Sequence, residues 1–339
     1  MTQFRAIGID LAKRVFHIVA VNRNEKVVLS KKVTRSQLVE VMRQMAPTIV
    51  FMEACGSSHY WARQFQAMGH QARLIAGQRV KCFVGHNKND EIDAKAIVTA
   101  GLRPDTRFVS VKSPRHLELQ ALHRVRSRLV RQRTALTNEI RGLLYEHGFT
   151  IPQGKKFFRA TVPMLCQGDE LTPLLKEIVA DLYQEYLDID ERVAEFEKKI
   201  KRENSHDPMV KKLEKVPGIG PLTASAIVAE VADPHAFKSA KGFASFLGLV
   251  PRHTGSGGKV TPLSLSKRGD TYIRYLLIHG ARSVMRFTSQ RDDRTSQWCE
   301  QLRQRAGDNK AAVALANKNA RIIWKLLTSD KEFELAPAS

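Results

Sequence analysis

The sequence predicts an α/β N-terminal domain followed by mostly helical regions, and three observations support this division. Short β-branched and apolar runs alternate with helical segments over residues 1–110. Apolar residues then recur three and four apart in two long stretches within residues 111–207. Residues 208–330 combine helical patterns with a Gly- and Ser-rich segment, and residues 331–339 form a tail. We therefore expect three domains and a tail.

The N-terminal domain begins with strand patterns, of which the first two are joined as a hairpin. Strands are expected over Phe4–Asp10, Phe16–Val21, Lys26–Val33, Thr48–Met52 and Ala72–Ala76, with a helix over Ser36–Met45. Three early strands followed by alternating helix and strand predict a mixed α/β sheet.

The middle region carries a helical apolar seam. Between His116 and His147 no glycine precedes Gly142, and apolar residues follow helical spacing. The same spacing returns over Leu175–Ile200 after a turn that contains proline and glycine. The two stretches predict a long helical hairpin or coiled coil. Packing within one chain and dimerisation explain the seam equally well.

Arginines cover the other faces of the first stretch. The run from Arg124 to Arg133 contains no acid, whereas solvated charged faces usually mix both signs. We therefore expect contacts with a nucleic-acid backbone. The residues concerned are Arg124, Arg126, Arg128, Arg131 and Arg133.

Composition indicates a polyanionic partner. Lys and Arg number 55 against 34 Asp and Glu, a formal net charge of +21. No apolar run approaches the ~18 residues that span a bilayer, and the N-terminal residues do not form a signal peptide. The four cysteines lie far apart without a CxxC pair, which argues against disulfides and structural zinc. We expect a cytoplasmic or nucleoid location and no membrane partner.

Acidic residues occupy three segments where an α/β fold collects ligands. Asp10 ends the first strand, Glu53 follows the TIVFM strand, and Asp90 and Asp93 share one face at the start of a helix. Four such carboxylates would repel one another unless hard cations neutralised them, which predicts Mg²⁺ or Mn²⁺ and phosphodiester chemistry. Taken singly, each acid also fits a turn residue, a surface acid or a helix N-cap. Nearby lysines that suit phosphates are Lys81, Lys88 and Lys95.

The C-terminal domain contains two segments that suit phosphate binding, beside helices expected over Tyr272–Met285 and Lys310–Leu327. The segment VPGIGPLTA resembles a helix-hairpin-helix, in which Gly218 and Gly220 would let backbone amides approach a phosphate. A tight turn between packed helices is the alternative. Further on, the hydroxyl of Ser256 could attack phosphorus, although the residues alone favour a flexible Gly/Ser loop. Basic residues that would hold the phosphate are Arg252, Lys259, Lys267 and Arg268.

Several segments together carry a family resemblance. They are IGIDLAK, MEACG, NDEIDAKAI, RQRTALTNEIRGLL, VPGIGPLTA and FASFLGLVPR with SGGK and SKRGD after it. In this order, from residue 5 to about 327, they resemble the DEDD transposases of the insertion-sequence one-ten (IS110) family, and most closely its eleven-eleven subgroup. The resemblance implies an N-terminal domain of ribonuclease H fold, like the Holliday-junction resolvase RuvC, a coiled-coil middle and a C-terminal transposase domain.

The resemblance also implies roles for individual residues. By motif, the metal ligands are Asp10, Glu53, Asp90 and Asp93, and Ser256 forms a covalent phosphoserine link to DNA. The implied partners are donor and target DNA, a structured non-coding guide RNA (bridge or seeker RNA), and further copies of the chain, from dimer to tetramer. In such an assembly the serine of one subunit completes the metal site of another. Gly255 departs from the pattern, since relatives often carry Ser or an acid there, and Thr254 offers a second hydroxyl.

Three other functions compete with this interpretation. A junction resolvase or nuclease would use the same four carboxylates with water as the nucleophile. The segment IGIDLAK also resembles the phosphate loop of sugar kinases and actin-like ATPases, but the second aspartate-glycine phosphate motif of those proteins is missing from the sequence. A protein that only packages nucleic acid would explain the charge and leave the acids unexplained.

Overall fold

The computed structural model describes residues 4–85, 89–256 and 259–335. The chain divides into two compact units, Met1–Pro114 with Val231–Ala236, and Arg115–Glu230 with Phe237–Ser339. The predicted middle and C-terminal domains thus share the second unit, and the finer division into three domains stays a prediction. None of the helices within the described residues is long and apolar enough to cross a membrane.

The first unit contains a six-stranded mixed sheet with helices on both faces. Its elements are β1 (Ala6–Asp10), β2 (Val15–Val21), β3 (Val27–Thr34), α1 (Arg35–Gln44), β4 (Ile49–Glu53), α2 (Ser58–Ala67), β5 (Gln71–Ile75), α3 (Gly77–Val80), α4 (Asp90–Leu102) and β6 (Phe108–Val109). The strand order is β3-β2-β1-β4-β5-β6, with β1, β4 and β5 parallel and the other pairs antiparallel. The predicted mixed sheet and its first five strands are confirmed. The short β6 was not predicted, since two residues give no pattern.

Alternation along the strands builds a core on each face of the sheet. Ile7 and Ile9 of β1 pack with α1 and α2 through a cluster that includes Trp61. On the opposite face Ala6 packs with Ile97 of α4. A Cβ atom on Gly8 would lie 2.4 Å from the carbonyl oxygen of Ala94, so α4 rests directly on β1.

The second unit begins with three packed helices. These are α5 (Pro114–Glu146), α6 (Lys155–Gln167) and α7 (Pro173–Asn204), and their apolar residues form one buried cluster. The predicted direct turn between two long helices is wrong, because α6 lies between them. Pro163 and Gly154 are turn signals in the sequence, yet Phe158, Val162 and Leu165 form a buried helical stripe. The coiled-coil description of α5 and α7 stays a prediction.

The remainder of the second unit is mainly helical. Its elements are α8 (Pro208–Glu214), α9 (Pro221–Glu230), α10 (Ala240–Phe246), β7 (Pro251–Ser256), β8 (Lys259–Leu265), α11 (Thr271–Met285), α12 (Arg294–Ala306) and α13 (Asp308–Leu327). The helices predicted near α11 and α13 are confirmed. The predicted flexible Gly/Ser loop is wrong, because β7 and β8 pair as an antiparallel hairpin. Two glycines between two extended runs are a hairpin signal in the sequence, and Gly257 and Gly258 themselves lie outside the described residues.

Candidate active site and nucleic-acid surfaces

Asp10 and Glu53 lie at one edge of the sheet of the first unit. Strands β1 and β4 are parallel and Ile9 pairs with Met52, so the next residues, Asp10 and Glu53, end the two strands side by side. Both residues are half-buried. A Cβ atom on Gly77 would lie 2.5 Å from Oε1 of Glu53, so glycine there leaves room for the carboxylate. Adjacent parallel strand ends thus bring two carboxylates to the crevice where α/β folds bind ligands.

The first turn of α4 carries the other predicted metal ligands and a third acid. Asp90, Glu91 and Asp93 all lie in that turn, where the helix dipole stabilises negative charge. The helix is capped by Asn89, whose side chain accepts from the backbone N–H of Glu91, so the N-cap role considered for Asp90 belongs to its neighbour. Contacts with β3 hold the turn: Asp90 lies 3.5 Å from Nζ of Lys32, and Ser30 donates to Oε1 of Glu91 at 2.9 Å.

Two titratable groups respond to these carboxylates. The pKa of the Cys55 thiol is raised by burial and then by the negative charges of Glu53 and Asp10. The pKa of His17, the cross-strand neighbour of Asp10, is lowered by burial, while the charge of Glu91 acts in the opposite direction. A thiol influenced by both strand-end acids agrees with their side-by-side placement.

The four predicted metal ligands all lie in the first unit and do not form a closed site there. Within the described ranges, no group of three or more His, Cys, Asp or Glu residues is arranged to hold a metal ion. The donors fit a hard divalent cation chemically, because all four are carboxylates. Of the lysines expected beside them, Lys81 and Lys95 are exposed and Lys88 lies outside the described residues.

The five predicted phosphate-binding arginines of α5 fall into two groups. Arg124, Arg128 and Arg131 are exposed. Arg126 and Arg133 instead form ion pairs with α7, at 2.5 Å to Glu197 and 2.5 Å to Asp190. The sequence of α5 gave no sign of these pairs, because the acids lie on another helix.

The glycines of the PGIG segment differ in their surroundings. Gly218 has a φ of +87°, and a Cβ there would lie 2.8 Å from the carbonyl oxygen of Gly280 in α11. The left-handed backbone and this close packing together explain why position 218 is glycine. A Cβ on Gly220 would meet nothing within 4 Å, so the structure leaves open space beside this glycine.

The hairpin of the second unit carries the predicted nucleophile and several basic residues. Ser256 ends β7 and pairs in register with Lys259, the first residue of β8. Arg252, Lys267 and Arg268 are exposed, and Arg252 donates to Ser264 at 3.1 Å. The backbone thus places the serine at the tip of a hairpin, with Arg252 on β7 and with Lys267 and Arg268 just after β8.

The sheet order and the acids at its edge are consistent with a ribonuclease H-like DEDD transposase. Residues 7–148 match the family model for IS110-type DEDD transposases, and residues 210–296 match the model described as "Transposase IS116/IS110/IS902 family". Members of the DEDD family typically use a divalent metal ion.

Whole-length relatives agree with these matches. A probable family 20 transposase of Pseudomonas aeruginosa is 45% identical over 327 residues, 96% of this chain and 97% of the relative. The transposase for insertion sequence element IS1111A of Coxiella burnetii is 41% identical over 98% of this chain and 92% of the relative. The transposase for insertion sequence element IS1328 of Yersinia enterocolitica is 38% identical over 98% of this chain and 99% of the relative. The chain belongs to the IS110 family of transposases and is a DNA transposase.

Proposed function

We propose that this transposase cleaves and rejoins DNA strands with Mg²⁺ or Mn²⁺ held by Asp10, Glu53, Asp90 and Asp93. The observation that carries this proposal is the placement of Asp10 and Glu53 on adjacent parallel strand ends. When bound, such a metal supplies Lewis-acid stabilisation of charge on phosphate oxygens. Because the four acids do not form a closed site within the described residues, the first turn of α4 must rearrange for all of them to share one.

The nucleophile in this proposal is Ser256. Its Oγ forms a bond to a DNA phosphorus while the bond from phosphorus to the leaving deoxyribose oxygen breaks, and the serine proton passes to that oxygen. Attack by a second strand's hydroxyl reverses these changes and rejoins DNA, with the proton returned to the serine. Bond types are conserved in each step, so no nucleotide hydrolysis is needed. The hairpin-tip position of Ser256 and the family resemblance support this role.

Guidance by a structured non-coding RNA and assembly into dimers or tetramers complete the proposal. The family resemblance supports both, and the exposed residues Arg124, Arg128 and Arg131 offer a basic face to nucleic acid. Gly220, with open space beside it, is the position of the PGIG segment that best suits a phosphate. Because its substrate is DNA, we expect the enzyme to act at the bacterial nucleoid.

Recombination with purified components tests this function. Protein, RNA from the region flanking the gene, Mg²⁺, and labelled donor and target DNA are incubated, and joined DNA and a protease-sensitive protein–DNA adduct are measured. We expect Ser256→Ala and Asp10→Ala to lose both, and Thr254→Ala, which removes the neighbouring hydroxyl, to keep both. Cleavage that survives Ser256→Ala without an adduct would identify a nuclease that uses water. Joining without added RNA would refute only the RNA-guidance part of the proposal.

A further inference from the structure

A buried carboxylate gathers three basic side chains where α5, α6 and α7 meet. Asp190 of α7 is 6% exposed. Its carboxylate oxygens lie 2.5 Å from Nη1 of Arg133, 2.7 Å from Nζ of Lys155 and 2.6 Å from Nη2 of Arg159. One carboxylate balances one of these cations, so the cluster carries a surplus of positive charge.

The surplus faces a cleft of about 250 Å³ in the second unit. Arg133, Lys155 and Arg141 line it, and the lining contains no acid among the described residues. Arg141 donates through Nη2 to the carbonyl oxygen of Pro152 at 2.9 Å, while its Nε is buried without a hydrogen-bond partner. A buried donor without an acceptor is costly, and an oxyanion in the cleft would supply one.

Asp190 also fixes the cations before any ligand arrives. Burial acts to raise the pKa of Asp190, but hydrogen bonds from Lys155 and Arg133 outweigh it and hold the pKa below its usual value, so the carboxylate stays charged. The side chains of Lys155 and Arg159 remain 55% and 44% exposed. Cations held in place on one side and open to solvent on the other lose less freedom when they bind an anion.

A second cleft in the same unit differs from the first in the charge of its lining, and this difference favours the first cleft as an anion site. It too measures about 250 Å³ and contains Arg124 and Arg131, but Glu230 and Asp270 line it as well. The two acids offset the charge of the two arginines inside this cleft, so its preference for an anion is weaker. The charged residues that line the first cleft are all cations, which gives it the stronger preference.

The floor of the first cleft limits what its ligand can be. Phe158 and Tyr186 line it, but they are only 1% and 2% exposed. Their rings pack edge to face, with the ring centroids 4.9 Å apart. A nucleobase cannot stack on rings that are already covered. The cleft therefore suits a phosphate group, recognised without regard to base sequence.

We propose that the Asp190-anchored cleft holds a phosphodiester group of a nucleic-acid strand through Arg133, Arg141 and Lys155. This site rests on the proposed function in that the enzyme acts on nucleic acid, and it adds a backbone anchor on α6 and the end of α5. DNA and RNA share the phosphodiester, so either strand could supply it.

The test compares two adjacent lysines of the intact protein. Lys155 lines the cleft, whereas Lys156 is exposed outside its lining, and each alanine variant removes one charge. Binding of fluorescein-labelled oligothymidylate DNA and of oligouridylate RNA is measured at several salt concentrations in EDTA, so that metal-dependent catalysis plays no part. Thermal melts of both variants check that each is folded.

We expect Lys155→Ala to weaken binding and to reduce the slope of log affinity against log salt by about one, and Lys156→Ala to leave the slope unchanged. A loss confined to the DNA or to the RNA identifies the strand that occupies the cleft, and a loss on both shows recognition of the phosphodiester alone. Equal behaviour of the two variants on both probes would overturn the proposal. Failure of DNA joining in the recombination experiment would leave this binding result intact, so the two claims fail separately.

Discussion

The sheet edge of the first unit and the α5–α7 helices of the second unit concentrate charge of opposite sign. At the sheet edge, Asp10 and Glu53 end adjacent strands in a chain whose formal net charge is +21. Among the helices the cations gather on one buried carboxylate, Asp190. Neighbouring carboxylates with too few cations around them have an excess of negative charge, which a metal ion would neutralise. Several cations around one carboxylate have an excess of positive charge, which a phosphate would neutralise. The same electrostatic principle thus distinguishes the proposed metal site from the proposed phosphate site.

Replacing a strand-end acid should give the largest effect in the first unit. Asp10→Asn removes a charge but keeps the shape, and we expect DNA joining to fall by about 10³-fold or more while nucleic-acid binding persists. The matched control is Asp105→Asn, an exposed acid that pairs with Arg79 at 3.7 Å. Joining assays and binding titrations on both variants check this. Comparable losses in the two variants would show that general charge, rather than the sheet edge, controls the reaction.

Disturbing the contact between β1 and α4 should have the next largest effect, on the free energy of unfolding. A Cβ on Gly8 would lie 2.4 Å from the Ala94 carbonyl oxygen and 2.9 Å from Val98, so Gly8→Ala must push α4 from the sheet. We expect a loss of about 1–3 kcal/mol in the free energy of unfolding, measured with urea. Gly142→Ala in α5 meets nothing within 4 Å and should instead stabilise by about 0.5–1 kcal/mol. Effects of the same sign would contradict this difference between the units.

Removing the anchor of the helical cluster should have a moderate effect on stability. Asp190→Asn leaves its cations without their carboxylate, and we expect a loss of about 1–2 kcal/mol, reduced because two of those cations are partly solvated. Since the folded-state pKa of Asp190 is lowered, its stabilisation is complete above its ordinary pKa of 3.8 and is lost as pH falls through the folded value. Asp188→Asn, an exposed position on the same helix, should change stability by less than about 0.5 kcal/mol. Similar urea midpoints for the two variants would argue against the anchor.

The smallest expected effect concerns a buried histidine of the second unit. Burial, and then the charge of Arg126, lowers the pKa of His123 from 6.5 to about 4. The ring contacts Ser225 at 2.9 Å and Tyr272 at 3.2 Å. Because the unfolded state takes up the proton first, the contribution of His123 to stability should fall as pH drops below 6.5, by about 1 kcal/mol between pH 6.5 and 5.5.

Urea unfolding across this pH range checks the histidine. We expect His123→Gln to reduce the pH dependence, while His59, whose pKa is also lowered to about 4, keeps its own contribution. The control His206→Gln, at an exposed position, should leave the pH dependence unchanged. A pH dependence in His123→Gln equal to that of the wild type would show that the folded-state pKa of His123 is not lowered.

Local patterns predicted the first unit well. Alternating apolar residues identified the first five strands, and strand ends identified Asp10 and Glu53, because sheet geometry brings parallel strand ends together. Apolar residues three and four apart identified α11 and α13, because this spacing is also a local pattern. The family resemblance, which draws on motifs along the whole chain, is confirmed.

Features that depend on distant partners could not be predicted in this way. The ion pairs of Arg126 and Arg133 need acids from α7, and the packing of Gly218 against Gly280 joins residues far apart in the chain. Helix α6 was missed because Pro163 and Gly154 are common turn signals, although its buried stripe contacts α5 and α7. Lys155, Arg159 and Asp190 carry no motif, and only the packing of three helices reveals their cluster.

Titration with Mn²⁺ tests the metal site at the sheet edge most directly. The affinity for Mn²⁺ is measured by calorimetric titration of the wild-type protein, of Asp10→Asn and of the control Asp105→Asn, without nucleic acid. We expect binding by the wild type and by Asp105→Asn, and affinity weakened at least about tenfold in Asp10→Asn, because a carboxylate ligand is replaced by an amide. Equal Mn²⁺ affinity in all three proteins would show that the metal is held elsewhere and would contradict the assignment of these acids.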